Sequence, residues 1–195
     1  MLAPWRSPLS SAIHRNRSKP FSRYFQLATV TPQGHPANRT VVFRGFLDLE
    51  GYSNAFKMIT DSRSAKIEEI EHQPLAEICW YFTKTREQFR ICGKLQSIDA
   101  TQKKSELLQA RLTTWHDISD SARSQFAWPD PAQPMADKSA FEVDPPDPNF
   151  PLDNFCLLLL FPYKIDHLQL RGEPQQRCIY EQKADSSWST QSVNP

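Results

Sequence analysis

Two runs rich in aromatic and β-branched residues, Leu75 to Phe82 and Glu87 to Ile98, are separated only by Thr83-Lys84-Thr85-Arg86. Such a pair reads as a β-hairpin, and the antiparallel sheet it starts is the frame that the rest of the chain must join. Phe25 to Val30 and Asn38 to Phe46 make another hairpin around the turn signal Thr31-Pro32-Gln33-Gly34. Ala55 to Thr60 follows a turn near Asp48 to Ser53. Cys156 to Phe161, Lys164 to Leu170 and Arg177 to Tyr180 return to strand character, with Gly172-Glu173-Pro174 as a turn between the last two. Helical spacing is confined to a short segment around Ile67 and Ile70 that ends before Pro74, to Thr101–Trp115 behind a capping box of Asp99 and Gln102, and to Ser119–Phe126. Short strands at hairpin spacing with flanking helices predict an α+β fold built on an antiparallel barrel.

A length of 195 residues suits a single domain over residues 1–195, with a Pro-rich loop at residues 129–151 that holds seven of the sixteen prolines. The formal net charge is only +1, so the chain lacks the global field of a nucleic-acid or anionic-membrane binder, and any basic site must be local. The longest apolar run, Phe155 to Phe161, falls far short of the roughly 20 residues that cross a bilayer and reads as a fully buried strand. Met1 to Arg17 has no apolar stretch of the secretory kind, and Cys79, Cys92, Cys156 and Cys178 show no C-x-x-C spacing; packed thiols in the cytoplasm are the expectation. Five histidines without H-x-x-x-H spacing predict no metal site, and five glycines form neither G-x-G-x-x-G nor a P-loop.

Two clusters carry the chemistry. Arg39-Thr40-Val41-Val42-Phe43-Arg44 alternates cation and apolar residue along a strand, and Thr60-Asp61-Ser62-Arg63-Ser64-Ala65-Lys66 runs from a strand end into a helix start. Cations at a helix N-terminus oppose its dipole unless an anion is bound beside them, so the second cluster points to a phosphate. Lys57, Lys84 and Lys94 read as solvated surface charges, and Glu68, Glu69 and Glu71 as a wet helix face.

This order of elements, with Gly34-x-Pro36 before Arg39 and with Gln88-Phe89-Arg90-Ile91-Cys92-Gly93-Lys94 on a later strand, resembles the pyridoxamine 5′-phosphate oxidase family of FMN-binding split barrels. In detail it is similar to the oxidase-like cyanobacterial and plant subgroup. The resemblance implies an antiparallel split β-barrel with flanking helices. It also implies a homodimer with FMN at the subunit interface and a small-molecule substrate that exchanges a hydride with the flavin. Arg39, Thr40, Val41, Val42 and Arg44 would line the flavin, with Arg44 standing where the family has a lysine. Thr60 would hydrogen-bond it, and Arg63, Ser64 and Lys66 would hold its phosphate, Arg63 replacing an arginine that the family places after the serine. Gln88 and Arg177 would complete the partner's site, Gln133 is a weaker match to a flavin-contacting glutamine, and Arg6 is a candidate to reach a ligand from the N-terminal segment.

Departures bear on the reaction. The family's Arg-x-His grip on the pyridine substrate falls on Glu173 and Gln175, its substrate-phosphate Tyr, Arg and Ser fall on His116, Asp120 and Ser124, and a flavin-abutting tryptophan falls on His167. Genuine pyridoxamine 5′-phosphate oxidase activity is therefore the second expectation, and a non-catalytic flavin-binding or interaction module the third.

Overall fold

The computed structural model describes residues 2–195. Eight strands form one antiparallel sheet: β1 (Tyr24–Val30), β2 (Pro36–Val42), β3 (Phe56–Asp61), β4 (Leu75–Phe82), β5 (Glu87–Ile98), β6 (Phe155–Gln169), β7 (Gln176–Gln182) and β8 (Trp188–Val193). Four α-helices flank it: α1 (Arg6–Asn16), α2 (Ala65–His72), α3 (Ser105–Asp117) and α4 (Asp120–Ser124). The sheet runs β2-β1-β4-β5-β6 and then divides, because one edge of β6 is shared. Its first half, Phe155 to Leu160, pairs with β3, and its second half, Lys164 to Gln169, pairs with β7, which carries β8. The β3 branch returns to the start through hydrogen bonds between Lys57 and the 44–45 backbone (2.9 and 2.8 Å) and a bridge between Phe46 and Phe56. That return closes the barrel and leaves β7–β8 as the split-off ribbon, the antiparallel split-barrel architecture expected above.

The apolar run of β6 is buried on both faces for a topological reason. Leu158 and Leu160 point into the barrel beside Phe25, Phe56, Ile78, Trp80 and Ile91, whereas Leu157 and Leu159 lie under α3 with Leu107 and Ile98. Neither face meets water, so hydrophobic alternation is absent there.

Several boundaries differ from the sequence expectation. The strand begun near Asn38 ends at Val42, and Arg44 lies just past it. The two segments 156–161 and 164–170 are one strand, for Pro162 sits where the β5–β6 register shifts between Cys92 and Gly93 and the missing donor is tolerated. The capping box does not form. Asp99 instead accepts from the Thr101 backbone (2.8 Å) and hydroxyl (2.7 Å), Gln102 accepts from the Lys103 and Lys104 backbones, and α3 begins at Ser105. Helix α1 and strand β8 had no counterpart in the sequence reading. At the bulge a Cβ on Gly93 would lie 2.5 Å from Leu160 Cδ2 and 2.7 Å from the Phe161 carbonyl oxygen. Gly93→Ala is expected to destabilise the fold by about 1–3 kcal/mol through overpacking against backbone, measured as a lowered denaturant midpoint at unchanged m-value.

Candidate functional site

The end of β2, the end of β3, the first turn of α2 and the Pro-rich segment after α4 surround a cavity of about 580 Å³. Arg39, Thr40, Val41, Val42, Arg44, Thr60, Arg63, Ser64 and Lys66 all line it, as does Gln133. A volume of this size is within the usual range for a cofactor or drug-sized ligand.

The cations along this wall are not equivalent. Arg39 is spoken for: its guanidinium pairs with Glu69 at 2.6 Å and also donates to Thr29, itself bonded to Glu69. Glu69, taken from sequence as part of a wet helix face, is instead buried under that pair. Arg63 is more fully engaged. Its Nε and one terminal nitrogen hold both oxygens of Asp61 (2.9 and 2.6 Å), and the remaining donors reach the Phe126 carbonyl (3.2 Å), the Trp128 carbonyl (3.1 Å) and Asp130 (2.7 Å). Its five N–H groups thus all end on protein acceptors in this arrangement. Burial alone would raise the Asp61 carboxyl, but hydrogen bonds from Arg63 and Asn154 outweigh it and hold the group below the usual carboxylate range. A charged Asp61 beside the cavity is thereby neutralised by Arg63.

Lys66 is different. Its Nζ donates to Thr60 Oγ1 (2.8 Å) and Ser64 Oγ (2.7 Å), and among the described residues it makes no ion pair with a carboxylate. Burial, and then the charge of Arg39, pushes its pKa down. Ser64 caps α2 without a side-chain cap bond; the Ile67 N–H turns back onto the Ser64 carbonyl (3.0 Å), which leaves the Ala65 and Lys66 N–H groups to outside partners. Arg44 contributes a buried Nε with no hydrogen-bond partner, and burial, followed by nearby Arg23, depresses its pKa. An under-compensated lysine, an orphaned guanidinium nitrogen and an open helix tip on one wall fit a dianionic phosphate.

The opposite wall is apolar. Trp128, packed edge-on against Phe141 at 5.7 Å, is followed by Pro129, Pro131, Pro134 and Met135, with Asp130 and Gln133 as its polar members. Neither Asp130 nor the wall as a whole was singled out from sequence, where nothing links Asp130 to an arginine 67 positions earlier.

Other expected residues lie away from this cavity. Gln88 is on the outer face of β5, opposite buried Phe89, and Arg177 on β7 pairs with Asp166 (3.0 and 2.7 Å); neither lines the cavity. His167 is buried, stacked on Phe89 at 4.0 Å and bonded to Glu87 at 3.0 Å. Arg6 lies 3.3 Å above the Phe46 ring, outside the cavity lining. Asp120 pairs with Arg123, Ser124 donates to the Asp120 carbonyl, and neither they nor His116, Glu173 or Gln175 line the cavity.

Comparison with known proteins bears on the family and the fold. Residues 2–99 match the family model "Pyridoxamine 5'-phosphate oxidase, FMN-binding domain". Over the whole chain the sequence is 40% identical to the Arabidopsis thaliana protein "Pyridoxine/pyridoxamine 5'-phosphate oxidase 2", covering 98% of that relative. A Nostoc punctiforme crystal structure of a pyridoxamine 5′-phosphate oxidase-related, FMN binding protein superposes with a TM-score of 0.96 at 52% identity, over the full length of both chains. PhzG from Burkholderia lata, crystallised with tetrahydrophenazine-1-carboxylic acid, shares the fold at 18% identity, with a TM-score of 0.76 over 98% of this chain and 90% of that one.

Proposed function

This chain belongs to the pyridoxamine 5′-phosphate oxidase FMN-binding family, and we propose that it is an FMN-dependent oxidoreductase acting on a small organic substrate. The observation that carries the reading is Lys66, held by two hydroxyls on the cavity wall with no carboxylate partner and with Arg44 unsatisfied nearby. When bound, FMN supplies the hydride-transfer chemistry. The chain's own residues bind and orient: Lys66, Ser64 and Thr60 take the phosphate, and Arg39, Thr40, Val41 and Val42 border the rest of the flavin. Arg39 is stiffened there by Glu69, and Arg44 offers a cation to flavin or substrate.

Gln88 and Arg177 stand on the outer sheet face rather than at the cavity. In this reading the protein is a homodimer, and the partner's Gln88 and the partner's Arg177 complete each cavity. Four free cysteines suit a reducing cytoplasm.

The full-length likeness to a relative named for pyridoxine and pyridoxamine 5′-phosphate oxidation favours one second reading, turnover of that vitamin phosphate. Against it, Asp120 and Glu173 replace two cations of the substrate grip, and each lost charge-assisted contact costs on the order of 1.5–3 kcal/mol. The purified protein is expected to be yellow or to take up FMN with a flavin absorption band, and to form little aldehyde from pyridoxamine phosphate. Failure to take up FMN removes the proposal; robust aldehyde formation replaces it with the second reading.

A further inference from the structure

We propose that Arg63 is a positioning residue, a latch that clamps the Pro-rich segment against the flavin cavity through Asp130 and the Phe126 and Trp128 carbonyls. The inference rests on the FMN reading of this cavity but assigns a role that reading does not contain.

The geometry is that of a hub. Arg63 is anchored on the barrel side by the two oxygens of Asp61, and Asp61 is in turn held by the Arg63 backbone N–H (2.8 Å) and by Asn154 Nδ2 (2.8 Å). Asn154 also donates to the Phe126 carbonyl at 2.8 Å, so two side chains grip the entry to the segment. From that fixed base the guanidinium reaches outward to three acceptors spread over Phe126 to Asp130. A planar fork with five donors suits this task, because it sets direction as well as distance. Elsewhere the segment is held by Trp115 Nε1, which donates to the Asp147 carbonyl at 2.8 Å, and by the Trp128–Phe141 contact. Beyond Trp128 and Phe141, its Met135 side chain is 86% exposed and Lys138 stands out in solvent. Prolines restrict its conformations but bring few hydrogen bonds of their own. Over Phe126 to Asp130, where Asn154 reaches only the Phe126 carbonyl, the wall that closes the cavity is fixed chiefly by one arginine.

A latch and a phosphate ligand make different demands. A phosphate ligand acts on FMN and not on riboflavin, which lacks the phosphate; a wall over the cavity acts on both. Asp130 is itself negative, and its removal eases the approach of a phosphate, so riboflavin is the cleaner probe. The segment 128–151 contains a single trypsin site, Lys138, which reports its release.

The test compares the full-length protein with Asp130→Asn, Asp130→Glu and Arg63→Gln by flavin-fluorescence titration with FMN and with riboflavin, and by mass-spectrometric timing of cleavage after Lys138. Expected are an about threefold weaker riboflavin affinity in Asp130→Asn and about tenfold in Arg63→Gln. Faster Lys138 cleavage is expected in both, and recovery toward wild type in Asp130→Glu. Unchanged riboflavin affinity in both variants, or unchanged cleavage at Lys138, overturns the latch. A wild-type protein that binds neither flavin removes the functional reading instead, and the cleavage rates still decide whether Arg63 holds the segment.

Discussion

Replacing Lys66 by alanine is expected to weaken FMN binding about tenfold to a hundredfold and to leave riboflavin binding unchanged, because charge-assisted hydrogen bonds are worth about 1.5–3 kcal/mol. The ammonium is held toward the cavity by Thr60 and Ser64, so little side-chain freedom is lost when an anion arrives. Burial and the neighbouring Arg39 both disfavour its charged form in the absence of an anion. A bound dianion reverses that bias and raises the lysine pKa again, so FMN affinity is expected to fall as pH climbs through the depressed titration of Lys66. Because the pKa is lowered rather than raised, that fall begins on the acid side of an ordinary lysine. Fluorescence titrations of wild type and Lys66→Ala with both flavins check the assignment. Equal losses for FMN and riboflavin in the variant would place Lys66 away from the phosphate, and a pH-independent FMN affinity in wild type would remove the electrostatic argument.

The parts of this arrangement that were legible in the sequence are the local ones. The Leu75–Phe82 and Glu87–Ile98 strands have the bounds read from their residue types, since alternation, β-branching and a short polar turn all lie within one hairpin. The cluster from Thr60 to Lys66 was readable for the same reason: strand end, cap and helix tip are adjacent in the chain. What escaped was set by distant partners. The protein partners of Arg63 could not be read because Asp130 and the Phe126 and Trp128 carbonyls, which take up its donors, lie more than sixty residues on. Glu69 looked like a wet surface carboxylate because its partner, Arg39, comes from strand β2, thirty residues earlier in the chain. Strand β8, Trp-Ser-Thr-Gln-Ser-Val, is a polar edge ribbon whose pattern carries little hydrophobic alternation. Helix α1 escaped because Leu9 and Ala12 are its only buried apolar side chains, too sparse a stripe to register. Its main anchor is Trp5, which precedes the helix.

That anchor carries the second large expectation: Trp5→Ala should cost about 3–5 kcal/mol of stability, the range for truncating a fully buried tryptophan. Trp5 is 0% exposed, stacks on Phe56 at 5.5 Å and meets Trp188 edge-on at 6.0 Å, so it joins the N-terminal segment, the first residue of β3 and the β8 ribbon in one aromatic cluster. Its indole Nε1 is buried without a hydrogen-bond partner, so the residue stabilises by volume and ring contact alone. Trp5→Phe, which keeps an aromatic ring and removes the unsatisfied donor, is therefore expected to retain most of the stability. For a chain of this size the alanine variant should melt about 6–20 °C lower. The other end of α1 is pinned independently, by Arg15 to Glu87 at 2.7 Å and by Asn16 to Thr85 and the Lys84 backbone. The helix thus stays tethered while its apolar root is lost, and the barrel below it keeps Thr60 and Lys66 at the far end of β3. Below its melting transition Trp5→Ala is accordingly expected to bind FMN with wild-type affinity. A melting temperature within 2 °C of wild type would show that the aromatic cluster contributes little. A loss of FMN affinity in the folded variant would show that the N-terminal anchor, and not the local geometry of β3 and α2, sets the cavity.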